Sequence, residues 1–150
     1  MSTVLLQSLQ AWWPETILSL GALAVVVLGV WPKRSQPALA AAWLAVLASG
    51  VALWQVPATT SAEVFFGLII CDPFSLALRW IAWGTVAIVL LLIMAWRDVK
   101  PALRGEYLGL VLFIGVGLML MAEANHLLMA YVAMELVSLS SYVLVGFQDE

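Results

Sequence analysis

Long apolar runs separated by short polar breaks set the pattern of this chain. A bilayer-spanning helix needs about 20 mostly apolar residues. On that rule about five spanning helices are expected, near 14–31, 38–56, 74–96, 105–122 and 126–147. The expected fold class is an all-α integral membrane bundle. Pro14 suits a first helical turn, where its missing N–H costs nothing, and Glu15 is favourable beside the positive end of the helix dipole. The first run closes at the polar loop Trp31-Pro32-Lys33-Arg34-Ser35-Gln36-Pro37. The second is Ala-rich, which suits close packing between helices.

The longest connection runs from Pro57 to about Cys71. It carries Glu63 and the apolar piece Val64 to Ile70, which is too short to span. Its β-branched and aromatic residues predict a short strand or an interfacial segment. Asp72 is a good N-cap, with Pro73 at the first helical position. Arg79 lies two turns into the third helix and can snorkel back toward its own end. Gly105, Gly109, Gly115 and Gly117 make the fourth helix smooth. Gly105-x-x-x-Gly109 is a small-xxx-small pair, so the glycines read as packing devices. The link to the fifth helix is very short, which predicts an antiparallel pair.

Composition agrees with the pattern. The 150 residues are 65% hydrophobic and 10% charged, with mean hydropathy +1.08. Soluble domains are nearer half apolar and about a quarter charged. No basic patch is present, which argues against a nucleic-acid partner; the bilayer is the expected one. Cys71 is the only cysteine, so an intrachain disulfide and any multi-cysteine metal or iron–sulfur site are excluded. One histidine and no clustered ligands give no metal or cofactor site to argue for.

Ala38-Leu39-Ala40 resembles a signal cleavage site, but Lys33 and Arg34 follow the first apolar run instead of preceding it. A spanning helix is the expected reading. Lys33, Arg34, Arg97, Lys100 and Arg104 fall after helices one and three; only Arg79 falls on the other side. This bias places the N-terminus outside and residue 150 in the cytoplasm. Trp12, Trp13, Trp31, Trp54 and Trp96 fall near helix ends, as an aromatic belt requires.

The candidate chemistry lies on helix five. Glu135 sits near its middle, where a carboxylate costs roughly 2.5–3.5 kcal/mol on insertion scales. A proton or ion site is the default reading of such a residue. Tyr131 precedes it by four residues, while Ser138 and Tyr142 follow by three and seven. All four fall on one helical stripe, a hydroxyl-lined path around a buried acid. Ser and Tyr also serve as polar glue between helices, which is the plainer reading of those three. Glu123 and His126, at the turn between helices four and five, read as solvated or headgroup-facing groups. Asp72 and Glu15 read as helix caps.

Residues 105–147 contain Gly-Glu-Tyr-Leu, Met-Ala-Glu-Ala-Asn-His-Leu-Leu and Met-Glu-Leu-Val-Ser-Leu-Ser-Ser-Tyr-Val-Leu-Val-Gly-Phe. This pattern resembles subunit N of the proton-pumping NADH–quinone oxidoreductase, respiratory complex I, an antiporter-like membrane subunit. Trp13-Pro14-Glu15-Thr16-Ile17 and Asp72-Pro73-Phe74-Ser75 are similar to it as well. The resemblance implies that Glu135 belongs to a proton channel and pairs with a lysine on a later, broken helix. It implies a translocase role as a subunit of the enzyme, with other complex I membrane subunits as partners. NAD, FMN, the iron–sulfur clusters and quinone would belong to the wider complex. It also implies a bacterial inner-membrane location. Family members have many more helices, so the chain reads as the N-terminal portion of a longer subunit. Two other readings stand beside it: a membrane subunit of a cation/proton antiporter or membrane hydrogenase, and a structural membrane subunit with no transport role.

Overall fold

The structure, a computed structural model, describes residues 12–29, 35–56, 62–65, 67–95 and 103–146. In chain order its elements are α1 (Trp13–Gly29), α2 (Ser35–Trp54), β1 (Ala62–Val64), β2 (Ile69–Cys71), α3 (Pro73–Ala95), α4 (Arg104–Glu123) and α5 (Leu127–Gly146). The chain is an all-α membrane bundle with a small hairpin added. Helices α2 to α5 are each long and apolar enough to cross a membrane. Helix α1 has 17 residues, about 26 Å at the helical rise, the short end of the spanning range. Helix α2 starts three residues earlier than the apolar run, because Pro37 is tolerated in a first turn. Lys33, Arg34, Arg97, Lys100, Trp31 and Trp96 lie outside the described residues.

Helix α4 is the hub. It packs against α1, α2, α3 and α5, whereas α5 rests chiefly on α4. The glycines of α4 explain this. Gly105 meets Gly29 of α1 backbone to backbone: a Cβ on Gly29 would lie 2.7 Å from Gly105 Cα. Gly109 seats Val26 of α1, Gly115 seats Val86 of α3, and Gly117 seats Val137 of α5. Each missing side chain thus opens a place for one neighbour, and close packing drives helix association where lipid is as apolar as leucine. Around these seats the core collects Leu18, Val25, Val46, Leu90, Leu112 and Met119. The outward faces stay apolar too, with Leu20, Leu44, Ile88 and Leu91 exposed. That is the surface lipid accepts.

The expected short strand is one half of a hairpin. β1 and β2 pair antiparallel, Ala62 opposite Cys71. The turn holds Phe65 at φ 53° and Gly67 at φ 82°. Glycine takes such angles freely, but phenylalanine is strained there. The turn is pinned from outside: Asn125 donates its side-chain amide to Gly67 O and its backbone N–H to Leu68 O, both at 3.0 Å. Phe65 also meets Trp12 edge-on, ring centroids 5.3 Å apart. Ile69 bridges to Ala124. The hairpin therefore covers one end of the bundle, the end where α1 and α3 begin and α4 gives way to α5.

Candidate functional site

Three charged side chains from three helices meet under that hairpin. Arg79 of α3 grips Glu15 of α1 as a fork: Nε donates to Oε1 at 2.9 Å and Nη2 to Oε2 at 2.7 Å. Its Nη1 lies 2.6 Å from Glu123 Oε1 at the end of α4. The side chains are 1%, 1% and 0% exposed for Arg79, Glu15 and Glu123, so water screens none of these contacts. A planar guanidinium is the cation suited to forked recognition of a carboxylate. Glu15 sits in the first turn of α1, where the helix dipole favours a negative charge. Glu123 sits in the last turn of α4, where the dipole opposes one. Its Oε2 is buried with no hydrogen-bond partner.

This corrects three expectations. Arg79 does not snorkel, because two carboxylates hold it inside. Glu123 is not solvated; the hairpin and the α4–α5 turn close over it. Glu15 is more than a cap, because both of its oxygens bind Arg79. His126 does face outward, as expected, and its Nδ1 accepts the N–H of Leu128 at 3.2 Å.

The strand-to-α3 junction fixes the depth of Arg79. Asp72 Oδ1 accepts the Ser75 N–H at 2.6 Å, and Ser75 Oγ accepts the Asp72 N–H at 3.0 Å. This reciprocal cap starts the helix where the sequence predicted. The Ser75 N–H bond holds the Asp72 carboxyl below the usual aspartate range. Cys71, one residue earlier, places Sγ 3.9 Å from Glu123 Oε1, and burial pushes its thiol up to about 11. Such a thiol is protonated and unreactive at neutral pH.

The stripe on α5 is placed differently. Ala133 and Ser140 are the buried residues of this helix, and Ala133 and Val137 contact α4 at Gly117. Glu135 is two positions from each, about 200° around the helix, so it points away from α4. Glu135 and Ser138 are half-buried, whereas Tyr131 and Tyr142 are 55% and 72% exposed. Tyr131 lies one helical turn before Glu135 on the same face. Ser138 donates its hydroxyl to Met134 O at 2.6 Å, inside its own helix. The structure thus brings Tyr131 and Glu135 together on an open face. Among the described residues no cluster of His, Cys, Asp and Glu could hold a metal ion.

No protein-family model matches the chain. Curated relatives do. NADH-quinone oxidoreductase subunit N of Anaeromyxobacter sp. (strain Fw109-5) is 35% identical over 138 residues, 90% of this chain and 27% of the relative. Subunit N 1 of Rhizobium meliloti (strain 1021) is 32% identical over 148 residues, 97% of this chain and 30% of the relative. The chain is homologous to NADH-quinone oxidoreductase subunit N. NAD(P)H-quinone oxidoreductase subunit 2 of Synechococcus sp. (strain JA-3-3Ab) is 31% identical over 140 residues, 90% of this chain and 26% of the relative. The chain spans about a quarter to a third of the length of these relatives.

The motifs read in the sequence as resembling subunit N meet in the structure. Trp13 to Ile17 supplies Glu15, Asp72 to Ser75 sets the start of the helix bearing Arg79, and Ala122 to His126 supplies Glu123 and the Asn125 clamp. Segments far apart in sequence converge on one buried ion cluster. Sequence reasoning passed over it, although one signal was available. Helices α1 and α3 enter at the end where α4 leaves, so Glu15, Arg79 and Glu123 share a depth, and opposite charges at one depth can pair.

Proposed function

We propose that this chain forms part of a proton-translocating membrane subunit of NADH–quinone oxidoreductase, with Glu135 as a proton carrier. The observation that carries the reading is the Glu135 carboxyl, half-buried on the open face of an apolar helix and one turn from Tyr131. The homology to subunit N supports it. A carboxyl at that depth is costly against lipid, so in the working subunit this face of α5 is covered by further protein. NADH oxidation and quinone reduction, with their NAD, FMN, iron–sulfur clusters and quinone, fall to other subunits in this reading. Tyr131, Ser138 and Tyr142 line the approach to Glu135 by holding water or donating to the carboxyl. Both lysines of the sequence, Lys33 and Lys100, lie outside the described helices. On the resemblance to subunit N, the cation that tunes Glu135 is a lysine on a later helix. The hairpin end faces outside and residue 150 faces the cytoplasm of a bacterial inner membrane, on the five-to-one bias of Lys and Arg.

The test is Glu135→Gln in the assembled complex. Gln keeps the shape and removes the titration. Assembly should be normal on native gels, and proton uptake by reconstituted vesicles should fall together with coupled NADH–quinone turnover. Glu135→Asp should retain more activity than Gln. Normal pumping by a fully assembled Gln variant would exclude Glu135 as an obligatory carrier.

A further inference from the structure

We infer that the Glu15–Arg79–Glu123 cluster is a one-proton binding site, separate from Glu135, with the proton seated on Oε2 of Glu123. Charge count is the first ground. Two carboxyls face one guanidinium, and all three side chains are at most 1% exposed. Among the described residues the other arginine, Arg104, begins α4 at the opposite end from Glu123. With both carboxyls ionised, a net negative charge would be sealed away from water, which is strongly disfavoured. One proton, taken from bulk water, makes the cluster neutral.

Geometry then decides which oxygen receives it. Both oxygens of Glu15 accept from the guanidinium, and the dipole of α1 favours its charge. Glu123 Oε1 accepts from Nη1 and faces the Cys71 thiol. Only Oε2 of Glu123 is buried without a partner, at the helix end where the dipole opposes an anion. Among the described residues the titratable and charged groups facing Glu123 are Glu15 from α1, Cys71 from β2 and Arg79 from α3. Two carboxyls linked through one cation titrate as a unit, so the proton belongs to the cluster as well as to its seat.

Infrared spectra of the full chain in lipid bilayers, in a Glu135→Gln background, test this through the C=O stretch of a protonated carboxyl. A band should be present at neutral pH and vanish in Glu123→Gln. It should also vanish in Glu15→Gln, because one carboxylate then balances Arg79 and Glu123 ionises although it is still there. In Arg79→Gln both carboxyls must be neutral, and the band should grow. Absence of the band in the parent, or its survival in folded Glu15→Gln, would overturn the inference. Should Glu123→Gln fail to fold, as circular dichroism would show, the Glu15→Gln and Arg79→Gln spectra still decide. The parent already lacks the Glu135 carboxyl, so failure here leaves the reading of Glu135 untouched.

Discussion

Replacing Arg79 with methionine keeps an apolar stem of similar reach and removes the guanidinium from between Glu15 and Glu123. Its contacts with both carboxyls, at 2.6–2.9 Å, disappear. Deleting one partner of a buried ion pair costs about 3–5 kcal/mol, because the other charge is left uncompensated. A second route gives the same scale. A carboxyl that titrates near 4.3 and must be protonated at pH 7 costs about 1.36 kcal/mol per pH unit, or roughly 3.7 kcal/mol. If the cluster already carries one proton, Arg79→Met demands one more. No discount for solvent applies, since the groups are sealed. The assay is equilibrium unfolding of the full chain in detergent, followed by tryptophan fluorescence. The sign with pH follows from the proton count. The folded variant binds a proton that the unfolded chain releases at neutral pH, so its stability rises as pH falls. The deficit against the parent should shrink by about 1.4 kcal/mol per pH unit between pH 7 and pH 5. The triple variant Glu15→Gln, Arg79→Met, Glu123→Gln should recover most of the loss, because it leaves no buried charge. A deficit under about 1 kcal/mol for Arg79→Met, or one independent of pH, would refute the sealed-cluster account.

Two further predictions test the packing and the hairpin. Gly105→Ala should destabilise by about 1–3 kcal/mol, since the new Cβ meets the backbone of Gly29, whereas Gly84→Ala should stabilise by up to about 1 kcal/mol because its Cβ meets nothing within 4 Å; thermal unfolding in detergent compares them. Cys71, with its thiol pushed to about 11 against an ordinary 9.0, should alkylate at pH 8 about a hundredfold more slowly in the folded chain than in the denatured one; equal rates would mean that the hairpin does not bury it.

The helices were legible because the membrane imposes one rule on all of them. Runs of about 20 apolar residues can satisfy their backbone only as helices, so length and composition sufficed. The cap at Asp72 was legible because it is local, with donor and acceptor three residues apart. The glycines of α4 announced close packing, though not which helix each would seat. The hairpin was half legible: its strand character showed, but the Asn125 clamp that pins its turn is set by contacts across 57 or more residues. The ion cluster was not read for the same reason. Glu15 and Arg79 are 64 residues apart, and each alone has an ordinary local explanation. A charge near a helix end reads as a cap or a snorkelling side chain until the register of three helices is known. Glu135 was conspicuous because no local explanation exists for a carboxyl in mid-helix.

The two acids, Glu123 and Glu135, meet the same solvent problem in opposite ways, and the difference follows from how their helices pack. Helix α4 is enclosed by four neighbours, so the carboxyl at its end finds a cation from α3 and a cover from the hairpin. Helix α5 has one main neighbour, and its contact face is spent on Ala133, Val137 and Ser140. Glu135 lies on the other side of the helix from that contact face. A bundle selected only for its own stability would carry an apolar residue there, saving roughly 2.5–3.5 kcal/mol on insertion scales. The same helix spends almost no buried area on itself. An acid kept at that cost, on the one helix the bundle leaves open, fits a surface whose partner comes from the rest of the assembly. On the proposed reading, α1 to α4 and the hairpin form the rigid support, closed by its own ion cluster, and α5 presents the titrating group.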